Sequence, residues 1–137
     1  MRFMMIVKSA ERSGPPPKEL MDAMGKLAEE SIKSGEMIDS GGLGPSAAGT
    51  RVRLRNGKIS VTDGPFTEAK EVVGGYWMIQ VKSKEEAIEW ASRCPASDNE
   101  IIEIRQVQEF SEFPADVQGA ASGFAEMQSK PGQRGGS

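Results

Sequence analysis

An Asn-Gly pair at the centre of TRVRLRNGKISVTDG (50–64) constrains the fold more than any other feature of the sequence. Asn-Gly is the preferred pair for a two-residue type I′ turn between antiparallel strands. A turn at Asn56 and Gly57 fixes the register of the two strands, and therefore which side chains share a face. The predicted partners are Val52 with Val61, Leu54 with Ile59, Arg53 with Ser60 and Arg55 with Lys58. Four aliphatic side chains then line one face of this hairpin, and Arg51, Arg53, Arg55 and Lys58 line the other.

The rest of the chain alternates between strand and helix patterns. Strands are predicted at 2–8, 74–82 and 100–110, with a short one at the start of 36–49, and helices at 18–34 and 83–94. The first helix carries a stripe of Leu20, Met24, Leu27, Ala28 and Ile32 at helical spacing, and Gly35 is its predicted C-cap. The second has Ser83 and Glu86 at capping-box spacing, an apolar stripe of Ala87, Ile88, Ala91 and Cys94, and Pro95 as its stop signal.

Without the hairpin, the order of elements is βαββαβ, the ferredoxin-like plan. We therefore expect an α+β fold, with a ferredoxin-like βαββαβ antiparallel sheet and an inserted β-hairpin. Both helices would cover one face of the sheet, so the other face needs a second cover. A second copy of the chain, packed sheet to sheet, is the simplest one, and the sequence thus predicts a homodimer.

The chain length of 137 residues is typical of one domain. We place that domain at 1–112. A C-terminal extension follows at 113–127 with a weak, glycine-interrupted helix pattern, and a disordered tail is expected at 128–137.

Composition excludes several classes of protein. The net charge of -3 disfavours a nucleic-acid binder, which usually has a basic excess. No apolar run is long enough to span a bilayer, so we expect no membrane association. A single cysteine, Cys94, and the lack of an export signal favour the reducing cytoplasm.

The chain contains no histidine, which removes Ser-His and Cys-His nucleophile pairs and an imidazole base. With one cysteine and no histidine, a zinc site is disfavoured, and we expect neither a metal nor a cofactor. Acid–base chemistry would depend on carboxylates, lysine or Tyr76.

The segment TDGPFTEAKEVVGGYW (62–77) is the candidate site. Asp63 is a candidate acid or base, although an aspartate before Gly-Pro also serves as a turn residue. The candidate ligand-binding residues are Gly64, Pro65, Phe66, Glu68, Lys70, Arg51 and Trp77. The usual role of such charged residues is a solvated loop, and the usual place of a tryptophan such as Trp77 is the core. Gly74 and Gly75 permit a bulge or a close backbone approach, and the loop 41–49 is predicted to border the cleft.

These motifs resemble YCII-related proteins of the DGPF type. The resemblance rests on MRFMMIVK, RVRLRNGKISVTDGPF, DGPFTEAKE, GGYWMIQV, EEAIEWASRCP and EIRQV, and covers about residues 1 to 110. It implies a ferredoxin-like fold that pairs as a dimeric α/β-barrel, in a bacterial family described near or fused to extracytoplasmic-function sigma factors. Relatives carry a histidine on the first helix and an aspartate beside the proline after the second. Here the first helix has no histidine and Cys94 precedes Pro95, so only the DGPF motif is carried over.

Three functions remain open at this point. The first is a small-molecule-binding domain with a cleft at the DGPF loop, possible ligands being small anionic or carbonyl metabolites, with a regulatory role in a sigma-factor-linked pathway. The second is a cofactor-independent enzyme that uses Asp63. The third is a structural or protein-interaction dimer.

Overall fold

The computed structural model describes residues 1–10, 15–66, 69–95, 100–120 and 123. In chain order the elements are β1 (Arg2–Ser9), α1 (Lys18–Ser34), β2 (Met37–Gly42), β3 (Thr50–Arg55), β4 (Lys58–Asp63), β5 (Val72–Gln80), α2 (Lys84–Ser92), β6 (Ile101–Gln106) and α3 (Ala115–Ala120). This is an α+β chain, as predicted. The expected tail at 128–137 and most of the 113–127 extension beyond α3 lie outside the described residues.

Four strands form one antiparallel sheet in the order β2-β5-β1-β6. With the hairpin set aside, this order is compatible with a ferredoxin-like fold. Directly opposed residues share a face of an antiparallel sheet. Met5 lies opposite both Trp77 and Ile104, which places all three on one face.

The core lies between that face and the two longer helices. Its buried residues are Phe3, Met5, Leu27, Met37, Trp77, Ile79, Val81, Ala87 and Trp90. Trp90 packs edge-to-face on Trp77 at a centroid distance of 5.6 Å. Its indole Nε1 donates a hydrogen bond of 3.0 Å to the hydroxyl of Ser31, the buried polar residue on α1. This bond joins α1 to α2 within the core.

The hairpin of β3 and β4 forms a separate two-stranded sheet. Every predicted pair is present, and Asn56 and Gly57 have φ values of 50° and 76°, as a type I′ turn requires. All twelve positions of the two strands are exposed, so the aliphatic face has no cover within the described part of the chain.

Helix boundaries follow the predicted caps. Gly35 takes a left-handed conformation and its N–H donates to the carbonyl of Ile32. At α2, the Ser83 hydroxyl accepts a hydrogen bond from the Glu86 N–H, as the capping box predicts. The Glu86 carboxylate, however, accepts from the N–H of Lys82 rather than from that of Ser83.

Besides shifts of about two residues in the bounds of β5 and α2, three details differ from the sequence prediction. Ile32 is 62% exposed, and Ser31 takes the inward position because it is the partner of the Trp90 indole. On α2, Ile88 is exposed and Trp90 replaces it in the buried stripe. The last strand ends at Gln106, not at Phe110, and Glu109 and Glu112 cap a short 3₁₀ turn that starts at Phe110.

No helix among the described residues is both long enough and apolar enough to cross a bilayer.

Candidate functional site

A cavity of about 850 Å³ lies at one end of the four-stranded sheet. Its walls come from the end of β1, the first turns of α1, the loop after β2 and the first half of β5. The apolar wall residues are mainly Val7, Leu20, Met21, Met24, Leu43, Val72, Val73 and Trp77. Of the predicted border loop 41–49, the part from Gly41 to Ser46 lines this space. We name the space the sheet-end cavity.

Glycines bring the backbone of β2 and β5 close together beside this cavity. A Cβ added at Gly75 would lie 2.8 Å from the carbonyl oxygen of Gly41, and one added at Gly41 would lie 2.8 Å from the Tyr76 ring. The register between β1 and β5 also shifts at Val7 and Lys8, opposite this Gly-Gly pair. Both a bulge and a close approach, the two uses predicted for Gly74 and Gly75, are therefore present.

The DGPF loop is fixed against the short 3₁₀ turn Ser46–Ala48 that precedes β3. The Gly64 N–H donates a hydrogen bond of 2.8 Å to the carbonyl of Gly49. A Cβ at Gly64 would collide with the Ser46 carbonyl oxygen, so only glycine fits here. The loop thus holds Phe66 next to β3.

Phe66 and Arg51 both line the margin of the sheet-end cavity, and Arg51 is the polar one of the two. The guanidinium carbon of Arg51 lies 3.8 Å from the centroid of the Phe66 ring, which is a cation–π contact. The contact limits the conformations of an otherwise exposed arginine. The cavity wall also contains a carboxylate. Among the described residues this is Glu100, which is half-buried.

Asp63 lies outside this arrangement. It is exposed at the end of β4, and its Oδ1 accepts a hydrogen bond of 3.0 Å from the hydroxyl of Thr50, its partner across the hairpin. Strand alternation places Asp63 on the aliphatic face, whereas Arg51 and Thr62 lie on the opposite face. Asp63 therefore does not line the sheet-end cavity.

The remaining predicted site residues divide between these locations. Trp77 belongs to the core and also forms part of the cavity wall. Pro65 is exposed and Lys70 is exposed in a bend before β5, and neither lines the cavity. Glu68 lies outside the described residues.

Lys8, near the end of β1, forms ion pairs with two carboxylates. Its Nζ lies 3.4 Å from Glu103 and 3.9 Å from Glu71. The hydrogen bond from Lys8 lowers the pKa of the Glu103 carboxyl. An ionised carboxylate that is paired with a lysine in this way is typical of a surface ion pair rather than of a general base.

Cys94 is half-buried after α2, and its thiol lies 3.7 Å from the carbonyl of Trp90. Burial raises the pKa of this thiol to about 12, against the opposing effect of Arg93. Because the thiolate is the reactive form, Cys94 is a poor nucleophile at neutral pH. It behaves as the small buried apolar residue that the sequence suggested.

Within the described residues, no three His, Cys, Asp or Glu side chains approach closely enough to hold a metal ion. The cavity can instead enclose an apolar molecule and present it to one guanidinium. Sequence reasoning missed Leu20, Met21, Met24 and Glu100 as wall residues. The methionines in the first turns of α1 were a usable signal, since flexible thioethers often line adaptable binding surfaces.

The comparison with known proteins gives the same family as the resemblance of the sequence motifs. The model of the YCII-related domain family matches residues 1–111. An uncharacterized protein of Rhizobium meliloti is 28% identical over 74 residues, which is 54% of this chain and 60% of that relative. The match spans less than two thirds of the relative's length. On the family match, this chain belongs to the YCII-related domain family.

Proposed function

We propose that this YCII-related domain is a small-molecule-binding domain whose ligand occupies the sheet-end cavity beside the DGPF loop. The observation that carries the proposal is the cavity itself, with its volume of about 850 Å³ and its largely apolar walls. Ligand sites for small molecules typically enclose about 300 to 1,000 Å³ and combine apolar walls with a few polar groups.

The positions of the polar groups indicate which kind of molecule fits. Arg51 lies at the margin, over the Phe66 ring, and Trp77 forms part of the apolar wall. An arginine fixed by an aromatic ring favours a negatively charged or carbonyl group on the ligand. We therefore propose a ligand with an apolar body and one anionic or carbonyl end, held without a metal.

The second candidate function is a cofactor-independent enzyme with Asp63 as acid or base. A general base must come within hydrogen-bond reach of the proton that it takes. Asp63 is exposed, accepts a hydrogen bond from Thr50 and does not line the sheet-end cavity. These positions favour binding over catalysis, and binding without turnover suits the sigma-factor-linked regulatory role that the family resemblance implies.

We also propose that the chain acts as a homodimer in the cytoplasm and that its partner packs on the outer face of the sheet. That face, opposite the core, carries Met4, Ile6, Tyr76 and Met78 at paired positions. Each is half-buried in the single chain. A dimer built sheet to sheet would be the α/β-barrel expected from the resemblance.

The test of ligand binding uses the neutral apolar dye N-phenyl-1-naphthylamine, whose emission rises in an apolar site. We expect saturable binding to the wild type. Leu20→Trp fills space at the cavity wall, so it should lower the dye affinity by about tenfold, a loss of ~1.4 kcal/mol.

Ile32→Trp is the matched control, because Ile32 lies on the same helix, is exposed and does not line the cavity. It should bind the dye like the wild type. Equal losses of dye affinity in both variants, or no saturable binding to the wild type, would contradict the proposal.

A further inference from the structure

The hairpin has a second surface that the proposed function does not use. Alternation along β3 and β4 places three arginines, a lysine and two hydroxyls on one face, opposite the aliphatic face. We name this surface the arginine face, and it consists of Arg51, Arg53, Arg55, Lys58, Ser60 and Thr62. Arg51 lies opposite Thr62, and Arg53 lies opposite Ser60, so each guanidinium has a hydroxyl beside it.

A depression of about 230 Å³ lies at the base of the arginine face. It is lined by Arg51, Arg53, Ser60, Thr62, Pro65 and Phe66. The ionisable groups in this lining are two cations, and no carboxylate of the described residues contributes to it. Two guanidiniums and two hydroxyls therefore surround one small space with hydrogen-bond donors.

One of these donors is restrained, and the other three are available. The Phe66 ring lies 3.8 Å from the guanidinium carbon of Arg51, which restrains that side chain. Among the described residues, no hydrogen bond or ion pair engages the side chains of Arg53, Ser60 or Thr62. An anion that enters the depression would therefore not have to displace an existing partner of these three groups.

The depression is smaller than the roughly 300 Å³ at which ligand sites begin, so its size suits a chemical group rather than a whole ligand. Arg51 and Phe66 line both the depression and the sheet-end cavity. The two spaces therefore meet at these residues, and one molecule could extend from one space into the other.

We propose that the depression is a phosphate subsite, which binds the phosphate of a ligand whose apolar part occupies the sheet-end cavity. Arginine binds phosphate oxygens in a bidentate manner, and the Arg53 guanidinium faces the depression without a partner among the described residues, with the Arg51 guanidinium beside it. The hydroxyls of Ser60 and Thr62 supply donors for the remaining oxygens. The apolar half of this inference rests on the proposed function, whereas the phosphate half rests on the hairpin and the adjoining residues Pro65 and Phe66.

The test measures the affinity of phenyl phosphate by calorimetry for the wild type, Arg53→Gln and Arg55→Gln. Both arginines are exposed on the same strand and face, and both variants lose one charge, but only Arg53 lines the depression. We expect Arg53→Gln to lose about tenfold or more in affinity, as the loss of a charge-assisted hydrogen bond implies. Arg55→Gln should stay within about twofold of the wild type, because it changes only long-range attraction.

Equal losses in the two variants would overturn the subsite, because they would indicate general attraction to a cationic surface. An absence of phenyl phosphate binding to the wild type would overturn it as well. Inorganic phosphate is the second probe, and it should bind more weakly than phenyl phosphate but show the same dependence on Arg53. If both probes bind equally well, the link to the sheet-end cavity is wrong.

The dye experiment separates this inference from the proposed function. N-phenyl-1-naphthylamine carries no anionic group, so Arg53→Gln should bind it like the wild type. Dye binding without phosphate binding would refute the subsite and leave the cavity as a ligand site. Phosphate binding without dye binding would refute the cavity and leave the subsite on the hairpin.

Discussion

At the scale of single residues, register explains why some candidate site residues meet and others do not. The Asn56-Gly57 turn and the alternation of the hairpin were readable from the sequence, and every predicted pair is present. The same alternation separates Arg51 from Asp63, because residues one position apart in register point to opposite faces. The Arg51–Phe66 contact depends on how the DGPF loop folds back over β3, which no local pattern encodes.

Two adjacent glycines give the sharpest prediction at this scale. A Cβ on Gly75 would meet the Gly41 carbonyl oxygen, a backbone atom that pairing within the sheet holds in place, whereas a Cβ on Gly74 would meet nothing within 4 Å. Gly75→Ala should therefore destabilise the protein by about 1 to 3 kcal/mol, as overpacking does. Gly74→Ala should stay within about 0.5 kcal/mol of the wild type.

Urea unfolding of both variants checks this prediction. A Gly75→Ala protein as stable as Gly74→Ala would mean that β2 and β5 do not approach as closely as described.

At the scale of elements, a bidentate ion pair ties the start of β1 to the segment after β6. The Arg2 guanidinium donates two hydrogen bonds of 2.9 Å to the Glu109 carboxylate. These hydrogen bonds lower the pKa of Glu109 in the folded protein, against a smaller opposing effect of burial. In the unfolded chain a glutamate titrates near about 4.3.

The sign of the pH dependence follows from that shift. Because the folded pKa lies below the unfolded one, the pair stabilises the fold above about pH 4.3, and this contribution disappears as the pH falls through the folded pKa. Glu109→Gln should therefore cost about 1 kcal/mol at neutral pH. The difference in unfolding free energy between this variant and the wild type should decrease on acidification to about pH 3.

Urea unfolding at neutral pH and at about pH 3 measures the difference in unfolding free energy between Glu109→Gln and the wild type. Glu29→Gln is the control. Glu29 belongs to an exposed i,i+4 pair with Lys33, and its removal should have little effect at either pH. A Glu109→Gln protein that matches the wild type at neutral pH would show that the pair adds nothing to stability.

Elements also show where sequence reasoning stops. The C-terminal end of α1 follows from the sequence, since Gly35 can adopt the left-handed conformation that ends the helix. Ser31 and Ile32 exchange their expected roles because the choice depends on Trp90, 59 positions away in the sequence. A helical stripe read from the sequence identifies the buried side only to within about one neighbouring position, and a tertiary hydrogen bond decides the rest.

At the scale of the whole molecule, two apolar surfaces support the proposed homodimer. One is the outer sheet face with Met4, Ile6, Tyr76 and Met78. The other is the aliphatic face of the hairpin, where Val52, Leu54, Ile59 and Val61 are 63 to 71% exposed. Surfaces of this kind usually mark sites of protein association.

We expect sedimentation velocity to give twice the 14.8 kDa mass of the chain. Met78→Asp places a charge on the outer sheet face and should give a monomer, because an unpaired carboxylate is costly to bury. Ile88→Asp, on the exposed side of α2, should remain dimeric. A monomeric wild type would refute the dimer, and a dimeric Met78→Asp protein would refute its placement on this face.

The central claim, that the sheet-end cavity is a ligand site, is tested most directly by the methionines. Met21 and Met24 line the cavity, whereas Met4 and Met78 lie on the other face of the sheet. The measurement is a titration of methyl-labelled methionine with N-phenyl-1-naphthylamine, followed by NMR and assigned with single Met→Leu variants. The account predicts saturable shifts at Met21 and Met24 with Met4 and Met78 unmoved. Shifts confined to Met4 and Met78, or no saturable shift at all, would contradict it.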